Sequence, residues 1–537
     1  MANAFDTMGV MIDMSRNAIM SVDGLKKFIP LLAKMGYNAL MLYTEDTYEI
    51  EDEPFFGYMR GRYSKAELKE IDDFAFAHGM EVIPCIQTLA HLNAFVRWNT
   101  APVDYGNILL ADDERTYDLI AKMLKTTAEC FRSRKIHVGM DEAYMLGRGK
   151  HLDIHGYEKI DSIMERHLKR VLELGKPYGY EMMIWSDMYF RQWNGGKYFA
   201  PKTVLPRETV DAFPKEVIPV YWDYYKTDEE AYSGMIENHK QLSDKTWFAG
   251  GAWCWYGMTP FNKFTLQAMQ PAYDACRKHG IRNMFLTMWG DDGGECSVYA
   301  VLPSLYYLAQ YANGITDEEK IKSGFYRLTG VSFDDFMKLD LPNDVVTPGQ
   351  RPKNPAKYML YTDYFNGFLD YTVRPGGGAQ YGTFAQELSA IAKKTRTYGW
   401  LFDAAAKHCR LLEYKYELGI QTRKAYEAGD REALRRLAEK EYPEVIRRFK
   451  VYAKAFEKQW LMTNKPQGFD VQHHRLGGMI LRTEACRRRI LDYVSGKLPK
   501  IEELEEPLLP YGEKENGGNY NKAQYYSTPN LVYHWNQ

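Results

Sequence analysis

Long apolar runs are missing from this sequence. No stretch approaches the ~20 apolar residues needed to span a bilayer, so no membrane partner is expected. Met1 to Arg16 lacks a basic segment followed by an apolar one, which argues against a secretory leader. An excess of one charge is missing too. The 69 basic and 71 acidic residues leave a formal charge of -2, giving nucleic acid no electrostatic footing. Cysteine is sparse: seven residues (85, 130, 254, 276, 296, 409, 486), odd in number and scattered, with no CxxC or Cys/His spacing for zinc. They read as reduced core thiols, and a cytoplasmic setting is the expectation. The first apolar run is followed by Met14-Ser15-Arg16-Asn17 rather than a glycine-rich phosphate loop, which disfavours a doubly wound nucleotide-binding sheet.

What is abundant is aromatic: 41 Tyr, 25 Phe and 11 Trp make up 14% of the chain. Rings fill cores, but they also supply the flat apolar surfaces that sugar faces need. At 537 residues the chain exceeds one ordinary domain, and its texture divides in two. The first part alternates apolar runs with amphipathic helical patterns. The runs are Met8–Met14, Asn38–Tyr43, Glu81–Ile86, Lys135–Met140, Tyr180–Trp185, Val217–Trp222, Thr246–Ala252 and Arg282–Trp289. Helical patterns between them include Leu25–Met35, closed by Gly36, and Lys65–His78, opened by a Ser64/Glu67 capping box. Eight strands, each with a crossover, predict an α/β fold: a closed (β/α)8 TIM barrel over residues 1–340. After it, Pro348–Pro355 and Gly376–Gly378 read as connectors. The chain from Phe384 to Gly496 is helical, with breaks near Gly429-Asp430 and Lys465–Gly468. Residues 341–537 are therefore expected to form a mainly α-helical C-terminal domain.

A barrel presents its chemistry where strands end. Those ends carry Asp13 and Arg16; Glu45 and Asp46; Gln87 and His91; Asp141 and Glu142; Trp185 and Asp187; Trp222, Asp223, Tyr224 and Tyr225; Trp253 and Trp255; then Trp289, Asp291 and Asp292. Tryptophan at four of the eight ends favours a carbohydrate subsite over packing alone. Within His137-Val138-Gly139-Met140-Asp141-Glu142, two consecutive acids at a buried strand end need a ligand or a proton to be tolerated. Neighbouring carboxylates separate their pKa values, so one can stay an acid while the other is ionised. One acid alone would pass as a helix N-cap. A metal site using His137, His91 and the two acids is the competing reading, without HExxH or paired-His spacing to support it.

The run His137 to Glu142 resembles the His-x-Gly-x-Asp-Glu signature of the glycoside hydrolase family 20 β-N-acetylhexosaminidases. The longer stretch from Met140 to Asp153, with His155 and Gly156, is similar to a bacterial branch that begins at the barrel and adds a helical C-terminal domain. Arg16, His91, Trp185 and the segment from Trp289 to Glu295 follow in the expected order. Met140 stands where many members carry a second glycine. The Tyr-x-Asp pair after strand seven has no counterpart in Trp253-Cys254-Trp255-Tyr256.

The resemblance implies substrate-assisted retaining hydrolysis without a cofactor or metal, acting on an oligosaccharide with a terminal β-N-acetylhexosamine. It makes Glu142 the general acid and base, and Asp141 the carboxylate that orients the acetamide. It implies that Trp185, Trp222 and Trp289 wall the sugar, with Trp253 beside them, and that Arg16 binds hydroxyls. Asp291, then Asp292 or Glu295, would accept from O4 and O6. The acetamide tyrosine falls at Tyr225 or Tyr224, and His91, Asp46 and His137 are expected as supporting residues. A metal-dependent hydrolase or deacetylase and a non-catalytic sugar-binding barrel are the alternatives. A homodimer is the self-association to test.

Overall fold

The computed structural model describes residues 5–345, 354–367 and 369–509, with the Asp292 side chain outside the described set. Eight parallel strands close into a barrel. They are β1 (Thr7–Asp13), β2 (Ala39–Tyr43), β3 (Glu81–Cys85), β4 (Lys135–His137), β5 (Glu181–Trp185), β6 (Ile218–Trp222), β7 (Trp247–Gly251) and β8 (Asn283–Met288). Each pairs with its chain neighbours, and β8 returns to β1. The expected runs coincide with these strands because a parallel strand covered on both faces must be apolar throughout. Side-chain alternation then sorts each run. Met11, Met41, Tyr43, Ile83, Met183, Trp185, Val220 and Phe285 fill the interior. Val10, Ile12, Leu40, Leu42 and Val82 face outward into the helix-covered core. Each fully buried side chain of this size stabilises the fold by about 1.5–3 kcal/mol.

Strand β4 is shorter than its apolar run. Gly139 (φ 76°), Met140 (φ 72°) and Glu142 (φ 53°) adopt left-handed backbone, which cannot continue a ladder. The crossover helices start where caps permit. Ser64 and Glu67 complete the capping box of the helix Lys65–Ala77, and Gly36 ends Val22–Met35 in the left-handed region.

Beyond the barrel, the helices Gly377–Lys394, Gly399–Lys415, Tyr442–Leu461 and Phe469–Val494 pack in sequence on one another. Gly376–Gly378 is not a connector: Gly376 caps a helix that begins at Gly377. Pro348–Pro355 falls mostly on residues 346–353, outside the described set. Residue 340 lies inside a 3₁₀ turn, Lys338–Asn343. There the Asp340 carboxylate accepts from the backbone N–H groups of Asn262 (2.9 Å) and Lys263 (2.8 Å), capping the barrel helix Asn262–Lys278.

The helical part grips the seam where the barrel closes. Ser21 N–H donates to Thr463 O (2.9 Å), and Lys465 N–H donates to Ile19 O (2.7 Å). A side chain on Gly24 would place Cβ 2.2 Å from Thr463 O, so this approach requires glycine. Behind β8, the buried Glu295 carboxylate meets Lys357 Nζ at 2.8 Å and Arg475 Nη1 at 2.6 Å. Both cations belong to the helical part.

Candidate active site

The left-handed turn after β4 aims its two acids in different directions. Gln87 closes the turn from the end of β3. Its Oε1 accepts from Met140 N–H (3.3 Å), and its Nε2 donates to Asp141 Oδ1 (2.9 Å). A Cβ on Gly139 would lie 2.0 Å from Gln87 Oε1, so only glycine fits there. Asp141 is buried, whereas the Glu142 side chain is 39% exposed. His91 Nε2 stands 3.1 Å from Asp141 Oδ2 and 3.8 Å from Glu142 Oε2.

Charge follows from that geometry. Burial pulls the His91 imidazolium down, but the Asp141 carboxylate beside it outweighs burial and raises it to about 9. Burial alone would raise Asp141; the charge and hydrogen bond of His91, with the Gln87 amide, hold it below its ordinary range. Asp141 is thus a buried anion held by an imidazolium and an amide. Asp187, just past β5, accepts from Glu142 N–H (3.2 Å) and ion-pairs with Arg191 Nε (3.1 Å). Burial first, then the charge of Asp141, pushes Asp187 up. Tyr144 Oη donates to Glu142 Oε1 (2.8 Å).

These acids open onto a cavity of about 120 Å³ with aromatic walls. Trp185 forms its buried base, its ring 4.3 Å from His137 and 6.0 Å from Trp289. Trp222 stacks on Tyr224 with ring centroids 5.6 Å apart, and Tyr225 and Trp255 continue that side. Arg16 reaches the opposite rim, 3.0 Å from Asp13 Oδ2 and 3.4 Å from Glu45 Oε1. Its guanidinium lies 5.1 Å from the Tyr43 ring centroid and 5.2 Å from that of Trp289. Asp13 Oδ2 also accepts from Gly290 N–H (2.9 Å), joining β1 to the loop that brings Asp291 to the cavity.

The cavity therefore gathers Arg16, His91, Asp141, Glu142, Trp185 and Trp222, together with Tyr224, Tyr225, Trp289 and Asp291. Four of the sequence candidates lie elsewhere. Trp253 is buried behind Trp255, stacked on it at 4.3 Å, and its indole N–H donates to Tyr224 O (2.9 Å). Asp46 ion-pairs with Arg60 (3.0 Å), away from the lining. Glu295 is turned from the cavity because Lys357 and Arg475 claim both its oxygens. His137 lies under Trp185 with Nδ1 accepting from Gly139 N–H (3.1 Å), and burial pushes its ring down to about 3, so it is neutral support. The Asp292 side chain lies outside the described residues. Three residues join the site beyond those the sequence points to as sugar-binding or catalytic: Trp255 in the cavity wall, and Tyr144 and Asp187 bonded to Glu142. A signal existed only for the first and last, which sit at strand ends. Among the described residues, no group of three or more His, Cys, Asp or Glu side chains is arranged to hold a metal ion, and no helix is long and apolar enough to cross a membrane.

An eight-stranded barrel with adjacent acids at the end of β4, opening on a tryptophan-walled pocket, is the frame of a carbohydrate-active protein. Residues 5–234 match the family model described as glycosyl hydrolase family 20, catalytic domain, and residues 333–522 match that of the Glycoside Hydrolase 20C C-terminal domain. The chain belongs to glycoside hydrolase family 20. It is similar to Hexosaminidase D of Bos taurus, 29% identical over 257 residues, covering 43% of this chain and 65% of that protein. Hexosaminidase D of Homo sapiens is 26% identical over 218 residues, covering 38% of this chain and 42% of its own. The chain thus spans less than two thirds of each of these relatives. A solved structure described as a GH20 exo-β-N-acetylglucosaminidase from Vibrio harveyi with N-acetylglucosamine superposes at a TM-score of 0.46 with 16% identity. It covers 61% of this chain and 58% of that one.

Proposed function

We propose that this chain is an exo-β-N-acetylhexosaminidase. It removes terminal β-linked N-acetylglucosamine, with N-acetylgalactosamine the alternative sugar, from oligosaccharides by substrate-assisted retaining hydrolysis. The observation that carries the reading is the unequal pair: Asp141 buried and held ionised by His91 and Gln87, Glu142 at the mouth. A retaining enzyme with its own nucleophile needs two carboxyls about 5–5.5 Å apart across the scissile bond. Here the buried anion is engaged by an imidazolium and an amide, a setting for stabilising charge rather than for bonding carbon.

In this mechanism the substrate's acetamide oxygen attacks C1 as the C1–O bond breaks, and Glu142 delivers its proton to the departing oxygen. Asp141 accepts from the acetamide N–H and stabilises the positive charge that develops in the oxazolinium ring. Water then adds to C1, giving its proton to Glu142 and restoring the acetamide. Trp185, Trp222 and Trp289 enclose the acetamide methyl and the pyranose, and Tyr225, or Tyr224 beside it, donates to the acetamide oxygen. Arg16 and Asp291 take the hydroxyls at the rim. No cofactor takes part. The barrel, residues 1–340, performs this chemistry, and residues 341–537 brace it. Seven buried, unpaired cysteines support a cytoplasmic setting.

The deciding experiment is a panel of p-nitrophenyl glycosides with and without EDTA. N-acetyl-β-hexosaminides should be cleaved in chelator, and matched 2-hydroxy β-glucosides orders of magnitude more slowly. Efficient turnover of the 2-hydroxy sugars would overturn the nucleophile assignment, and loss of activity in EDTA would favour a metal-dependent hydrolase.

A further inference from the structure

The acid Glu142 belongs to a closed circuit that the reaction above does not explain. Its backbone N–H donates to Asp187 Oδ2, and that oxygen pairs with Arg191 Nε (3.1 Å). The Arg191 guanidinium lies 4.8 Å from the Tyr144 ring centroid and is tethered again by Nη1 to Gly196 O (3.0 Å). The left-handed turn at Glu142 brings Tyr144 back, with Tyr144 N–H donating to Glu142 O (2.8 Å), and the phenol returns to Glu142 Oε1 (2.8 Å). Each carboxyl oxygen therefore has its own surroundings. Oε1 is occupied by a hydroxyl donor, and Oε2 faces His91 at 3.8 Å on the cavity side.

We propose that Tyr144 is a positioning residue that aims the proton of Glu142 at the glycosidic oxygen, and that its ring is the first contact for the departing sugar. A protonated carboxyl whose Oε1 accepts a hydrogen bond carries its proton on Oε2. A hydroxyl at Oε1 thus selects the oxygen that points at the substrate. The cation–π contact with Arg191 holds the phenol in place. The leaving group must depart past Glu142, and there Tyr144 is 47% exposed, next to Met145 at 41%. Tyr144 does not line the cavity itself, but an exposed ring bonded to Glu142, which does, suits the apolar face of a second pyranose lying beyond it.

This inference rests on the proposed glycosidase reading, and its test separates the two. Three N-acetyl-β-glucosaminides are compared: dinitrophenyl, methyl, and a β-1,4-linked disaccharide. Tyr144→Phe should lower kcat about tenfold on the methyl and disaccharide substrates, with KM unchanged and dinitrophenyl cleavage nearly untouched. Tyr144→Ala should in addition raise KM about fivefold for the disaccharide but not for the methyl glycoside, the range expected for a lost aromatic contact. Equal slowing of all three substrates by Tyr144→Phe would reduce Tyr144 to a structural role. Equal KM changes on methyl and disaccharide substrates would remove the sugar contact. Failure of the unsubstituted protein to cleave any of the three would instead sink the glycosidase reading.

Discussion

Substituting Lys357 by Met tests whether the helical part builds the active-site rim or merely adjoins it. Lys357 is fully buried, as is the Glu295 carboxylate it pairs with, and Arg475 is nearly so. Removing one member of such a pair typically costs 3–5 kcal/mol, because the charge left behind cannot be rehydrated. In Lys357→Met, Arg475 still neutralises Glu295, but the buried Glu295 oxygen that Lys357 held is left without a donor, so the loss falls at the bottom of that range, about 3 kcal/mol. For a unit of some 150–250 residues that corresponds to a melting transition about 6–12 °C lower. Glu295 lies four residues beyond Asp291 on one loop, so KM for the N-acetyl sugar should rise as well. The assay is differential scanning calorimetry beside steady-state kinetics. A control replaces Glu295, Lys357 and Arg475 together with methionine; with no buried polar atom left unpaired, its Tm should recover toward the original. An unchanged Tm in the single variant, or a triple variant as unstable as the single one, would refute the reasoning.

Other expectations are simpler to state. Glu142→Gln should cut kcat on natural glycans by about 10²–10⁴ and spare dinitrophenyl substrates, and equal loss on both would remove Glu142 from the acid role. Asp141→Asn should lower kcat by about 10²–10³ with little change in KM, whereas a change in KM alone would make it a ground-state binder. His91 titrates at about 9, above its ordinary 6.5, so its pairing with Asp141 stabilises fully below pH 6.5 and fades as pH rises through 9. The Tm gap between the protein and His91→Gln should therefore close between pH 6.5 and 9.5, and a gap that stays constant would show that the ring is not charged. A 1–340 fragment should be insoluble, since the seam at Ser21, Gly24 and Glu295 loses its cover; a soluble, active fragment would show the helices to be an independent appendage.

The barrel was legible because its strands are covered on both faces and so advertise themselves as unbroken apolar runs. The ends of those runs also located the acids and most of the cavity wall. Legibility stopped where a side chain's fate depends on a distant segment. Nothing near Glu295 announces that Lys357 and Arg475, 62 and 180 residues onward, will claim it. Asp46 is lost to Arg60 across a loop in the same way. The choice between Trp253 and Trp255 failed for a local reason, since both lie beyond β7, where strand alternation no longer says which ring faces in. Tyr144 escaped notice because its contact with Glu142 arises from a left-handed turn that no residue preference predicts.

That turn bears on how such sites drift. Met140 keeps a positive φ while its side chain is fully buried, in a conformation costing an L-residue roughly 1–2 kcal/mol. Burying a methionine returns about as much. Position 140 is thus nearly neutral ground, where glycine relieves the backbone and a larger apolar residue fills the core. A β-branched residue would do neither well. Position 139 has no such latitude, with Gln87 pressed against it. Lineages sharing one active-site backbone can therefore diverge at 140 while remaining fixed at 139. A search pattern demanding glycine at both would pass over a chain whose turn is intact.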